Sequence, residues 1–404
     1  MIAKDRIKTL AQEIGFDACG ITLAEPEQEA ERTLESWVQE GKHGDMAYLE
    51  NYEERKQRFR NRFPEAKSVI VLGVNYFSEH KLSSWEAIHQ PVIPAKAAPQ
   101  GCCPPWSSPC GTGIHKYGSP IKTFGDDTSC PRNDKLTGRV ARYAWGKDYH
   151  KVIARKLELL AQKIKDEAGS NCKIQFEPSV DTKPLLERTL AEKAGLGFIG
   201  KQTQLLSLQF GPWLFLGELV TNLDLEPDQP FSGSCGTCRL CIEECPTDAI
   251  EESGPIDARK CIAYLTIEHK SEIPLELRPK IENWVFGCDQ CLQVCPYTAK
   301  QKETKWDNLR AGAGFGSELD LLKLFEIKSN GEYEKLFGET AISRANRKQL
   351  LRNACVVLGN VGTEKALSVL QKAAEDHSLL VREHAKWAIQ RIEERIDNLS
   401  KVGS

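Results

Sequence analysis

A chain of 404 residues is longer than one compact core usually organises, so two or three domains are expected. With 40% hydrophobic and 27% charged residues the composition is globular, which excludes a fibrous or largely disordered protein. The 54 basic and 57 acidic side chains leave a net charge of −3, so any nucleic-acid contact has to come from a local patch.

Residues 1–82 read as α/β. The opening helix interleaves charges at helical spacing where a signal peptide would carry an unbroken apolar core, which predicts a cytoplasmic protein. A short strand at 18–22, a charged helical stretch over 27–60 and a buried strand at 69–74 follow. The longest apolar runs, SVIVLGVNYF (68–77) and PWLFLGELV (212–220), fall well short of the roughly 18 residues of a membrane span, so no membrane partner is expected. Over about 83–133 the prolines and glycines of PVIPAKAAPQGCCPPWSSPCGTG remove donors and periodicity together and predict an inserted loop. A helix at 149–168, a strand at 173–177, a helix at 184–194 and apolar segments at 205–208 and 212–220 resume the α/β domain, which should end near 225. Residues 226–310 carry the densest cysteines and few apolar runs, as in a small domain held by metal rather than by a core. From 318 to 404 everything reads as helix, with segments at 346–358, 363–375 and 378–398 suggesting hairpins of the HEAT type.

Fifteen cysteines in a cytoplasmic chain point to metal or redox chemistry instead of disulfides. Cys235, Cys238, Cys241 and Cys245, followed by Pro246, match C-x2-C-x2-C-x3-C-P, the run that binds cubane clusters in bacterial ferredoxins. Three closely spaced thiolates wrap one cluster, and the fourth points to a second. Its ligands are Cys261, Cys288, Cys291 and Cys295 with Pro296, the same motif with its first gap stretched. By the crossing rule one 4Fe–4S cluster takes Cys235, Cys238, Cys241 and Cys295, and the other takes Cys245, Cys261, Cys288 and Cys291. Zinc explains four thiolates in C-x2-C pairs but not two such runs. Adjacent cubanes form a one-electron conduit, whose terminus is expected in the α/β domain. Cys102, Cys103, Cys110 and Cys130 in the insertion are open to a further metal, a regulatory thiol pair or no role. Cys19, Cys172 and Cys355 read as small core residues.

Three motifs in the α/β domain have competing readings. Gly195-Leu-Gly197-Phe-Ile-Gly200 is a literal G-x-G-x-x-G, but it follows a helix, so Gly195 is expected as a helix cap and not as a dinucleotide turn. Asp148-Tyr-His150 approaches the D-x-H-x-x-G that presents a histidine to cobalamin, yet Ile153 replaces the glycine, and His150 is expected to cap or pack its helix. Asp181 stands at a strand-to-helix junction ahead of Pro184. It is either an N-cap carboxylate or a ligand-facing acid at the carboxyl end of a strand.

The chain resembles the epoxyqueuosine reductases, cobalamin- and iron–sulfur-dependent enzymes that complete queuosine synthesis in tRNA. The resemblance runs through FPEAKSVIVLG (63–73), GRVARYAWGKDYH (138–150), VDTKPLLER (180–188), AEKAGLGFIGK (191–201), both cysteine runs and CIAYLTIEHK (261–270). It covers 1–82 and 134–310 well, the tail loosely and the insertion not at all. It implies an α/β domain binding cobalamin base-off, a ferredoxin-like double-cubane α+β domain feeding it electrons, and an all-α HEAT-like tail that binds tRNA. Asp181 matches the family's general acid, which protonates the oxygen lost from the epoxycyclopentane, and burial against the corrin should raise its pKa. Arg55, with Arg58 as an alternative, aligns with corrinoid-contacting positions, as do Ala144, Leu205, Leu216, Leu219 and Lys260. His269, Lys270 and Arg278 resemble a tRNA-contacting stretch. Arg344, Arg347, Lys348 and Arg352 in the acid-free segment 340–352 are either an RNA footprint or a solvated helix face. The partners implied are a tRNA whose modified base is splayed from a loop and an external electron donor the sequence does not identify, acting on a monomer. Two other readings remain open: a dehalogenase-like corrinoid reductase of small molecules, and a non-catalytic ferredoxin-type electron carrier.

Overall fold

In the computed structural model, which describes residues 2–25, 27–79, 136–169, 173–252 and 254–402, the N-terminal half is organised by a four-stranded sheet, beside which β5 (Phe198–Ile199) and β6 (Leu205–Leu206) form a separate two-stranded pair. Strand β2 (Ser68–Asn75, SVIVLGVN) is buried at all eight positions, as a β-branched run must be when both faces are covered. It lies between β1 (Ala18–Leu23) and β7 (Leu214–Thr221), and β4 (Phe176–Ser179) closes the far edge, where Pro178 costs no ladder bond. Side chains alternate between faces. Ile70, Leu72, Phe215 and Leu219 pack on α1 (Lys4–Ile14) and α4 (Tyr149–Ala168) through Ile7, Leu10, Ile153 and Leu157. Val69, Val71 and Val220 face the other way, toward Leu205 and toward Leu190 and Ala191 of α5 (Glu187–Lys193).

Every neighbouring pair in this sheet is antiparallel, so the rule placing ligands at the carboxyl ends of parallel strands does not apply to Asp181. The charged stretch expected over 27–60 is two helices, α2 (Gln28–Gln39) and α3 (Tyr52–Arg62), separated by turns that use Gly41 and Gly44 at positive φ. The expected strand at 173–177 is shifted to β4. Gly195 at φ 80 ends α5 as expected: its amide bonds Glu192 and that of Leu196 bonds Ala191, the two bonds of a Schellman cap. The insertion, with Cys102, Cys103, Cys110 and Cys130, and Cys172 lie outside the described residues.

A second sheet draws one strand from each of the three expected domains. Strand β3 (Thr137–Val140) pairs in parallel with β8 (Trp284–Phe286) and antiparallel with β9 (Glu318–Asp320). The tail therefore does not begin as helix. Leu319 is buried in the ladder, and the Asp320 carboxylate caps the next turn through the amides of Leu322 and Lys323. Helices α6 (Arg347–Val361), α7 (Leu367–Ala373) and α8 (Leu379–Val402) complete the C-terminal region. Their core is continuous with Val140, Ala144, Trp145, Val285 and Phe286.

Helix α6 starts with a capping box between Asn346 and Gln349 and is buried nearly all round, which marks a central helix rather than a surface one. Arg352 on it is 0% exposed and donates to the carbonyls of Leu265, His269 and Ser271 at 2.6 to 2.8 Å. It ties the tail to the cysteine-rich segment and is unavailable to RNA, which corrects its place in the basic footprint. Among the described residues no helix is long and apolar enough to cross a membrane.

Candidate active site

The two cysteine runs meet where the short helices Leu240–Glu243 and Gln290–Gln293 pack together. Burial pushes the Cys241 thiol up to about 11, and the nearby Cys235 and Cys238 add to it. Cys295 is pushed up to about 12 by burial and then by Cys235, Cys241 and Cys238. On the other side burial raises Cys288, with Cys291 and Cys261 contributing, and Cys291, with Cys261, Cys241 and Cys245 contributing. The thiols thus fall into the two crossed neighbourhoods, which touch through Cys241 and Cys291. Sulfur atoms accept backbone amides, that of Lys201 at Cys235 and that of Ala249 at Cys245, both at 3.4 Å. Four soft donors in each group with amides aimed at sulfur is the chemistry a cubane requires. Cys355, fully buried in the tail core, and Cys19, with its thiol pushed up to about 12 by burial, take no part.

Asp181 lies two residues beyond β4, in a left-handed conformation with φ 53. The Ser179–Glu218 pairing brings it beside β7 and the start of α4. Tyr149 Oη donates to Asp181 Oδ2 at 3.2 Å, and His150 Nε2 stands 3.8 Å from the same oxygen. Tyr149 is wedged between rings, stacked on Phe215 at 4.2 Å and on His150 at 4.0 Å. The cap of α4 is the Asp148 carboxylate, which accepts the His150 amide at 3.0 Å and faces its Nδ1 at 2.8 Å. His150 is therefore an imidazole held between two carboxylates, not the cap itself.

Burial alone would lower the His150 pKa, but Asp148 and Asp181 push it up to about 9. The same contacts act on the acid. Burial works to raise Asp181, yet His150, Tyr149 and Arg188 hold it below the usual carboxylate range, and its side chain is 68% exposed. The raised pKa expected from the sequence is absent in the protein by itself. Across the cleft, Arg344 lies over the Tyr48 ring at 5.8 Å and pairs with Glu268 at 2.7 Å; both Arg344 and Tyr48 feel the Asp181 charge.

The remaining expected residues divide. Leu205 and Leu216 pack in one apolar cluster on the α5 face. Leu219 is three positions from Leu216 on a strand, so it points to the opposite face, where it is 0% exposed beneath α1 and α4. That position cannot touch a ligand shared with Leu216. Ala144 is fully buried in the tail core. Arg55 reaches the Tyr48 carbonyl at 3.4 Å, whereas the exposed Arg58 pairs with Glu54, and Lys260 is exposed. His269 is held between Asp45 and the Glu272 carbonyl, and the Lys270 side chain is exposed. Arg278 is 4% exposed, donates to the Ile273 carbonyl and lies over Trp387, so it is not a surface cation. Arg347 is locked to Asp376 at 2.9 Å with both side chains largely buried. Of the basic residues expected at RNA, Lys270, Arg344 and Lys348 are exposed.

Tyr149, Glu187 and Glu218 were not expected at the site. The available signal was an acid, Glu218, inside the apolar run PWLFLGELV. Among the described residues a cavity of about 1040 Å³ lies at the other edge of the sheet against Asp17, Cys19, Lys156 and Trp306.

Two thiol quartets beside an acid-bearing α/β domain define an iron–sulfur oxidoreductase. Residues 234–298 match the 4Fe-4S double cluster binding domain, and residues 116–182 match the model described as Epoxyqueuosine reductase QueG, DUF1730. The chain is 35% identical to the epoxyqueuosine reductase of Xanthomonas campestris pv. campestris over 96% of its own length and 95% of that protein. It is similar to an epoxyqueuosine reductase solved with a tRNA-Tyr epoxyqueuosine-modified tRNA stem loop (TM-score 0.75, 27% identity, 96% of this chain and 90% of that one). It is likewise similar to a Bacillus subtilis epoxyqueuosine reductase whose catalytic aspartate loop is swung out of the active site (TM-score 0.74, 27% identity, 96% and 90%). The chain belongs to the epoxyqueuosine reductase family.

Proposed function

We propose that this protein reduces epoxyqueuosine to queuosine in tRNA, with electrons from an external donor passing through two 4Fe–4S clusters to base-off cobalamin and with Asp181 as proton donor. One observation carries the reading: Cys291 and the Asp181 partner Tyr149 pack into the same core, so a thiol quartet and the acid cleft share a wall. Removing the epoxide oxygen as water takes two electrons and two protons, so a conduit and an acid have to converge on one place.

The cleft suits a corrinoid. A broad macrocycle needs an apolar wall beside a few polar groups; the half-buried Leu216, backed by the buried Leu205, would supply part of that wall and Asp181 an exposed carboxyl group. Arg55 and Lys260 would hold its rim. When bound, cobalamin supplies a strongly reducing centre fed one electron at a time.

The protein's own groups manage the proton. His150, at about 9, carries one at neutral pH and stands beside the Asp181 oxygen. Covering the cleft with the cofactor and a splayed base removes water from Asp181, which strengthens the burial effect that favours its neutral form. One proton then moves from imidazolium to carboxyl group and from there to the leaving oxygen, and the imidazole, reprotonated from solvent, supplies the second by the same route. The swung-out aspartate loop of the Bacillus subtilis relative fits a residue standing on a left-handed turn. The exposed Lys270 and Arg344 would meet the tRNA loop, a reading that the relative solved with a tRNA stem loop supports.

The test is to incubate anaerobically reduced protein plus cobalamin with epoxyqueuosine-containing tRNA and weigh the released nucleoside. Loss of one oxygen supports the reading, and an unchanged mass with the clusters verified as reduced refutes it.

A further inference from the structure

Glu218 sits in the middle of β7 between Gly217 and Leu219 and is 0% exposed. Among the described residues no ordinary donor reaches either of its carboxyl oxygens. What faces it is a second acid, Glu187 of α5, close enough for its side chain and charge to act on Glu218. Two carboxylates are both acceptors, so a hydrogen bond between them requires that one of them carry a proton. Two buried carboxylates in contact also cannot both ionise without large repulsion. The deeper partner keeps the proton: burial and then Glu187 raise Glu218 well above its ordinary value, while Glu187 is pushed up to about 7 by burial and then by Asp181. The other groups facing the pair are Arg188, whose charge favours the Glu187 carboxylate, and the Ser179 hydroxyl, 3.5 Å from Glu187 Oε1.

Glu187 has a second task. Its Oε1 accepts the backbone amide of Asp181 at 2.7 Å. Asp181 stands at φ 53, a region that residues other than glycine seldom occupy and that persists only when neighbours hold it there.

We propose that Glu218 is a neutral acid buried in the sheet, that it donates a hydrogen bond to Glu187, and that Glu187, so fixed, clamps the Asp181 backbone in the turn that aims its carboxyl group into the cleft. Both glutamates are positioning residues, since neither touches the substrate. The proposal rests on Asp181 being the proton donor.

The test compares Glu218→Leu, Glu218→Gln and Asp181→Asn in the cofactor-loaded enzyme with epoxyqueuosine-containing tRNA, together with infrared spectra of the wild type and Glu218→Gln. Glu218→Leu keeps the volume but removes the donor, and kcat should fall about 10- to 100-fold at unchanged KM and iron content, the scale of a misplaced catalytic group. Glu218→Gln restores a donor and should recover most of that loss, which a site needing only apolar filling would not show. A protonated-carboxyl C=O band should be present in the wild type at neutral pH and missing from Glu218→Gln.

Wild-type kcat in Glu218→Leu, no recovery in Glu218→Gln, or no difference in the carboxyl band overturns the proposal. Should Glu218→Leu not fold, the infrared comparison and the kcat of Glu218→Gln against wild type decide it. Asp181→Asn separates the two levels: wild-type turnover there overturns the acid reading itself, whereas slow Asp181→Asn beside wild-type Glu218→Leu removes only the clamp.

Discussion

Three thiols of one quartet, Cys235, Cys238 and Cys241, come from a single short stretch of chain, whereas the groups around Asp181 come from the start of α4, the turn after β4, α5, the middle of β7 and, across the cleft, Tyr48 and Arg344. The first arrangement is dictated by spacing along the chain and the second by sheet register. Damage to a quartet is therefore local and all-or-none, while damage to the acid cleft is graded and can come from any element that sets its geometry. Cys291→Ser is the harshest way to break the comparison, since Cys291 neighbours both quartets. Iron should fall from about eight to about four atoms per chain or fewer, with turnover abolished. Cys355→Ser, placed in the tail core, should leave iron and sulfide analysis unchanged.

The tail tests whether the regions are separable at all. Its core includes Phe286 beside the second quartet and Val140 from the α/β half, so truncation after about 318 would strip β3 and β8 of their cover instead of isolating a tRNA-binding module. Arg352→Met removes the donor from the buried Leu265 carbonyl and from the part-buried carbonyls of His269 and Ser271, of which His269 keeps Gln349. The expected loss is about 3 kcal/mol of stability by denaturant titration, with cluster loss in the same transition. A separate early transition with retained iron would show that the tail unfolds alone.

Sequence spacing was enough to pick out the two cysteine runs, which lie within the double-cluster match over 234–298, because closely spaced thiols need no knowledge of the fold. It was also enough for β2, for α4 and for the Gly195 cap. It did not separate Leu216 from Leu219, although the two-residue period of a strand was available, because the expected contacts came from resemblance and not from facing. Charge misled most. Arg278, Arg347 and Arg352 read as exposed cations, yet Trp387 over Arg278, Asp376 beside Arg347 and the 265–271 carbonyls at Arg352 are distant in sequence.

His150 lay in plain view in KDYH, but its two carboxylates come from both sides of β4. His150→Gln measures that hidden contact by pH. A histidine raised in the fold from 6.5 to about 9 adds stability that is fully present below about 6.5 and is lost as pH rises through about 9. The unfolding midpoint should fall across that window in the wild type and lose this component in the variant, with turnover lower by about tenfold at neutral pH.

The smallest effect is expected at the rim, where the structure divides the basic residues into free and committed ones. Arg344 is exposed, and beside the Tyr48 ring its ion pair is to Glu268, of the kind worth little in water, so a phosphate can compete for it. Arg347 is locked to Asp376 in a nearly buried pair and to the Ile327 carbonyl. Arg344→Ala should weaken tRNA binding several-fold and reduce the slope of log affinity against log salt by about 0.7, one phosphate contact to a single strand. Arg347→Ala should leave that slope unchanged while lowering stability, because it uncovers Asp376 instead of removing a phosphate contact. Equal slopes for Arg344→Ala and the wild type would put the tRNA on another face and detach the rim from the acid cleft.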